Sequence, residues 1–152
     1  MRVNFEHVVK QGILTKKGSI LGLYNNECMF YLERSRTVSD DHKSGPYLKY
    51  GPKKKAVQFL VDLGAGAQGG KVHLIRVPGS KTKFHIQIPG ETVKLKLKAA
   101  SNQDRESWIE SICQEIKTGV SDDAACIENG GDGLVDDSKQ NLNMTKDPLA
   151  KL

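Results

Sequence analysis

Long apolar runs are missing from this chain. No stretch approaches the roughly 20 consecutive apolar residues that a membrane-spanning helix needs. The opening Met-Arg-Val-Asn-Phe-Glu has no apolar core of a signal peptide, and position 2 is Arg2 rather than the glycine that myristoylation requires. Any membrane contact is therefore expected to be peripheral and made by the fold itself. Cysteine is scarce and odd in number. Cys28, Cys113 and Cys126 form no C-x-x-C pair, so their spacing suggests neither a disulfide framework nor a zinc site, and a reducing cytoplasmic setting is expected. Aromatic residues make up 6% of the chain, with Trp108 the one tryptophan. Nucleic-acid binding usually pairs basic groups with exposed stacking aromatics, and it is not expected here. His7, His42, His73 and His85 show no helical metal spacing. His73 and His85 can face each other on neighbouring strands, but two histidines lack a third ligand, so no metal is expected. No Ser/His/Asp or Cys/His set assembles from such scattered positions, and Cys28 near Lys16 reads as a buried structural thiol. Neither an enzyme nor a cofactor is indicated.

What is present is charge, unevenly spread. Among 152 residues, residues 119–152 hold seven acids and three lysines, whereas residues 1–118 hold 20 basic and 11 acidic side chains, a net of +9. With 38% hydrophobic and 27% charged residues, the composition is that of one globular domain with a length of chain left over. A field so basic favours acidic partners such as phosphoinositides or an anionic membrane.

Two hydrophobic periods divide the basic part. Alternation of apolar and polar residues, or short aromatic and apolar runs, marks seven strands over residues 8–15, 28–33, 47–50, 57–63, 72–77, 83–88 and 92–98. The last two alternate most clearly: Phe84, Ile86 and Ile88 share one face, and Val93, Leu95 and Leu97 point inward while Lys94, Lys96 and Lys98 point outward. That lysine stripe reads as a solvated strand face that also discourages edge aggregation. Residues 34–46 read as a polar turn region. Residues 64–70 read as a glycine-rich turn. Gly64, Gly66 and Gly69 have the spacing of a dinucleotide fingerprint, but a strand follows them rather than the helix which that chemistry needs. The period then changes. Ser101 is a natural N-cap with Asp104 three residues on, and Trp108, Ile109, Ile112 and Ile116 fall on one stripe of a helix over residues 101–117. After Lys117 the apolar pattern fades, and residues 119–152 read as an acidic, disordered tail.

The order of these elements, the start Gly12-Ile13-Leu14-Thr15-Lys16-Lys17-Gly18, the second strand Phe30-Tyr31-Leu32-Glu33 and the Trp108 helix together resemble the pleckstrin homology (PH) domain over residues 5–118. The resemblance implies a mainly β fold: a seven-stranded, partly open antiparallel barrel, or two packed sheets, capped by one C-terminal helix. It implies a monomeric peripheral module that binds anionic phospholipid, a phosphoinositide or phosphatidic acid, through loops after the first and third strands. Lys16 matches the lysine that ends the family's first strand, with Lys17 beside it. Lys53, Lys54 and Lys55 would open at the same rim, and Tyr50 stands where the family often has a tyrosine touching the headgroup. The family's basic pair entering the second strand is absent: Asn26 and Cys28 fill those places, with Glu27 between. Guanidinium forks there would bind phosphates bidentately, so their absence predicts modest headgroup selectivity. The apolar run from Ile20 and Leu21 to Tyr24 has two readings. Either Ile20 and Leu21 contact the membrane, or the run simply begins the second strand and faces the core. The rival to lipid binding is a protein-interaction adaptor that takes a peptide between an edge strand and the final helix. The acidic tail also suggests regulation, by folding back onto the +9 domain.

Overall fold

The computed structural model describes residues 2–18, 24–67, 70–90 and 94–130, and it turns the two periods of the sequence into an open sheet and a covering helix. After a 3-10 turn at Phe5–His7 come β1 (Val8–Lys17), β2 (Tyr24–Glu33), β3 (Arg36–Ser39), β4 (His42–Ser44), β5 (Tyr47–Pro52) and β6 (Phe59–Asp62). A short helix α1 (Leu63–Ala67) leads to β7 (Val72–Arg76), β8 (Lys83–Gln87), β9 (Leu95–Lys98), α2 (Asn102–Gly119) and β10 (Ala125–Asn129). Eight strands form one sheet in the order β10-β7-β8-β9-β1-β2-β5-β6, and β3 and β4 make a separate hairpin. All pairings are antiparallel except β10 with β7. Among the described residues β10 and β6 remain unpaired edges, so the barrel is not closed. The expected class is thus the observed one, a mainly β fold with a C-terminal helix.

Strand alternation fills the core. Leu14, Phe30, Leu32, Leu48, Leu74, Phe84, Ile86 and Leu97 are all at most 1% exposed, and each such side chain contributes roughly 1.5–3 kcal/mol relative to exposure. The helix stripe closes over them with Trp108, Ile109, Ile112 and Ile116 buried. Its start is fixed as the sequence predicts: the Ser101 hydroxyl accepts the Asp104 N–H at 3.1 Å.

Three segments differ from the sequence reading. Residues 34–46 are not simply a turn region but contain the β3–β4 hairpin, whose β3 residues are all exposed and so carry no apolar alternation. Residues 63–67 form α1 rather than a loop. Leu63 anchors it at 0% exposure, and Asp62 Oδ1 accepts the Ala65 N–H at 2.9 Å. Gly64 has a steric reason to be glycine, since a Cβ there would lie 2.1 Å from the Gly45 carbonyl oxygen. Finally, ordered structure continues beyond residue 118. Residues 125–129 add a strand in register from Ala125 opposite Val72 to Asn129 opposite Arg76. Backbone bonds from Val72 N–H to Ala124 O (2.9 Å) and from Gly130 N–H to Arg76 O (2.8 Å) extend the pairing at both ends. Residues 131–152 lie outside the described residues.

Candidate functional site

The end of β1 separates the two lysines that the sequence places together. Lys16 stands opposite Leu97, which stands opposite Phe84, and both apolar partners are fully buried. Lys16 therefore belongs to the inward row, and at the strand's end it reaches a cleft instead of the core. One position on, alternation turns Lys17 to the outer face, where its charge acts on His85. The adjacent cations serve two different surfaces.

The inner cleft has a volume of about 670 Å³ and is bordered by Lys16, Tyr50, Asp62, Ile88, Lys94 and Leu95, among others. Two lysines and one aspartate thus border a largely apolar wall. The sequence reading set Lys94 with Lys96 and Lys98 on a solvated strand face, whereas in the structure it also borders the cleft. It precedes β9, at the rim, where it can reach the cleft. A second cleft of about 480 Å³ adjoins the first and is lined by Lys16, Asn26, Glu27, Cys28, Tyr50 and Phe59. Tyr50 borders both. Its ring stacks on Phe30 (centroids 4.6 Å apart) and on Phe59 (5.1 Å), and the residue is only 8% exposed. Burial, then the neighbouring Cys28, raise the Tyr50 pKa; burial also raises that of Cys28, with Lys16 pulling the other way. Both groups are therefore neutral at neutral pH, and Lys16 and Lys94 are the cations of the cleft.

The remaining predicted residues divide. Lys53 is paired with Glu27 at 2.8 Å on the surface, so part of its charge is already answered. Lys54 and Lys55 are exposed in the turn after β5, which the Lys55 N–H closes on Pro52 O at 3.0 Å. Ile20 and Leu21 lie outside the described residues. Phe59, on the edge strand β6, is half exposed at 51% beside these lysines, and Leu60 follows at 42%. The sequence reading placed both within a strand over residues 57–63; the strand order shows that this strand is an edge.

His85 lies on the outer face with Lys17 and Lys96, and Lys94, which borders the cleft, acts on it too. Burial, then the charges of Lys94, Lys96 and Lys17, lower its pKa to about 4 from an ordinary 6.5. A histidine that resists protonation in the fold makes stability fall as pH drops from about 6.5 to about 4, because the unfolded chain takes up the proton first. That part of the acid destabilisation should be missing from His85→Gln, as urea midpoints measured between pH 7 and 4 would show; an unchanged slope would contradict the assignment.

The molecule is thus an open, mostly antiparallel sheet covered by one helix, with a cleft bordered by Lys16 at the end of its first strand. The PH domain model matches residues 8–117, and the chain belongs to the PH domain family. Members of that family are typically non-catalytic, and they often bind phosphoinositides or mediate protein interactions. No curated protein matches the chain. Among solved structures it is similar to the C-terminal PH domain of human pleckstrin, at 21% identity and a TM-score of 0.56, covering 78% of this chain and 97% of that one. It is similar also to the C-terminal PH domain of pleckstrin in complex with D-myo-Ins(1,2,3,4,5)P5, at 24% identity and a TM-score of 0.53 over 71% and 97% of the two chains. A DH/PH fragment of PDZRHOGEF, solved with human RhoA, matches at 16% identity and a TM-score of 0.55; 74% of this chain is covered, but only 29% of that one. No helix among the described residues is long and apolar enough to cross a membrane.

Proposed function

We propose that the domain is a peripheral membrane module that recognises an anionic phospholipid headgroup, a phosphoinositide or phosphatidic acid, at the rim marked by Lys16 at the end of β1, the turn after β5 and Lys94 before β9. The observation that carries this reading is that Lys16 and Lys94 both border one open cleft, while Phe59 on β6 and Lys54 and Lys55 in the turn before it are exposed. The cations supply attraction and the aromatic edge an apolar foothold. Asp62 in the same cleft and Glu27 on Lys53 limit the net charge, which suits one phosphate better than several. Family membership supports the reading, and so does the inositol pentakisphosphate bound by the pleckstrin domain.

The adaptor reading finds less support. The chain's own residues 125–129 already occupy the edge of β7, so a peptide could add on that side only beside β10.

Each lysine near an anionic surface contributes on the order of 1 kcal/mol, so Lys16→Ala/Lys94→Ala should weaken binding to vesicles containing phosphoinositide or phosphatidic acid by about 30-fold. Lys17→Ala, on the opposite face, should cost clearly less. Co-sedimentation at two salt concentrations tests both. Equal losses from Lys16 and Lys17, collapsing together with salt, would indicate diffuse charge without a headgroup site. No binding to any vesicle would end the lipid reading.

A further inference from the structure

The strand that the sequence reading left in the tail brings a second group of side chains together. Cys126 lies opposite His73 in the parallel β10–β7 ladder, and Glu128 is two residues on, on the same side of the strand. Cys126 Sγ is 3.2 Å from His73 Nδ1 and 3.0 Å from Glu128 Oε2, and His73 Nδ1 also contacts Glu128 Oε2 directly. A thiol, an imidazole nitrogen and a carboxylate oxygen thus lie within 4.8 Å of one another. His73 and Glu128 open onto a cleft of about 450 Å³ bounded by Lys71, Gln87 and Pro89.

We propose that Cys126, His73 and Glu128 form a binding site for Zn²⁺, with the cleft side left open for water or an exogenous ligand. Sulfur, imidazole nitrogen and carboxylate oxygen are the three donor types that zinc takes, and three protein ligands with one open position is a stable arrangement for it. Zinc bonds of about 2.0–2.3 Å at tetrahedral angles place donors roughly 3.4–3.6 Å apart. The two sulfur contacts are within about half an ångström of that spacing, whereas His73 Nδ1 and Glu128 Oε2, now in direct contact, must part by more to admit the ion. The side chains of His73 and Glu128 are 39% and 42% exposed, so they can spread by this amount without disturbing the core, and an ion can enter from solvent. Binding replaces the Cys126 thiol proton, now donated to Glu128, and releases it to water. The thiolate and carboxylate then offset the ion's two charges, and the neighbouring Lys71 and Lys94 face a neutral centre instead of a bare cation. Two ligands on β10 and one on β7 mean that the ion would also fasten the last strand to the sheet.

The full 152-residue chain, stripped of metal, should take up one Zn²⁺ in competition with a chromophoric chelator. It should give a thiolate-to-metal charge-transfer band when Co²⁺ is used as the probe. Cys126→Ser should abolish the band, and His73→Gln and Glu128→Gln should each weaken Zn²⁺ binding at least tenfold. All three variants should unfold at the wild-type temperature without metal, because the replaced groups are partly exposed. Zn²⁺ should slow hydrogen exchange of the amides of residues 125–129 in the wild type and leave the Cys126→Ser protein unaffected. Absence of the cobalt band, its persistence in Cys126→Ser, or zinc affinity in the three variants equal to that of the wild type would overturn the site. None of these readouts involves lipid, so the result stands apart from the membrane reading.

Discussion

Replacing Trp108 with alanine is expected to lower the unfolding free energy by about 3–5 kcal/mol, the range for deleting a large buried aromatic side chain. The ring is 1% exposed and joins three elements. It meets Phe30 of β2 edge-on at 6.5 Å, lies against Gly12 of β1, and carries Lys10 Nζ over its face at 5.0 Å. Alanine would leave a cavity between helix and sheet where both backbones are already held by hydrogen bonds, so collapse into the space would be incomplete. For a domain whose total stability is about 5–15 kcal/mol, that is a large share. Guanidinium titration of Trp108→Ala against wild type should show a much lower midpoint at similar slope. Trp108→Phe, which refills part of the space, should fall between them. A loss below about 1 kcal/mol for the alanine variant would mean that α2 is not seated on the sheet through this residue.

The second large effect concerns a charge pair inside the molecule. Glu33, at the end of β2, is ion-paired with Lys49 of β5 at 2.9 Å, and their side chains are 1% and 9% exposed. The same carboxylate oxygen accepts the Asn4 N–H at 2.9 Å, while Lys49 Nζ donates to Arg2 O at 2.6 Å. The pair thus ties residues 2–4 to the middle of the sheet. Glu33→Ala would leave the Lys49 ammonium buried without a counter-charge, which costs about 3–5 kcal/mol in comparable sites. Replacing both by methionine removes the unpaired charge along with the pair. The double variant Glu33→Met/Lys49→Met should therefore be more stable than Glu33→Ala alone. Thermal unfolding of the two proteins decides it; a double variant less stable than the single one would show that the pair itself, rather than the stranded charge, carries the stability.

The parts of this fold that could be read from the sequence were those where one periodicity ran long enough to be unmistakable. The alternation of Phe84, Ile86 and Ile88, and of Leu95 and Leu97, corresponds to β8 and β9, and Ser101 with the Trp108 stripe corresponds to α2. The strand β10 escaped notice because its pattern inverts the usual signal: Ala125 is the buried residue and Ile127 is exposed. Its stability comes from the β7 ladder and from α2, neither of which is written in residues 125–129. The hairpin β3–β4 buries nothing, and α1 is too short for a helical period to show. At the rim the difficulty was geometric. Residues adjacent in sequence are opposed in a strand, so Lys16 and Lys17 could be recognised as basic but not as belonging to different faces. Lys94 joins Lys16 only through the order in which β9 lies beside β1. The triad of Cys126, His73 and Glu128 depends on a pairing across more than fifty residues, which no local spacing announces.

The direction of β10 has a consequence for how the module would hang from a bilayer. β1 runs toward the lysine-bearing turn, β9 runs back, β8 runs with β1 and β7 against it. Being parallel to β7, β10 therefore also runs against β1. The first residue of β1, Val8, and the last of β10, Asn129, therefore both lie at the strand ends remote from the turn. On the proposed membrane reading, both of these strand ends would face away from the headgroups. Segments joined to either end would hang below the membrane plane like a load beneath a hook, leaving the gripping edge unobstructed.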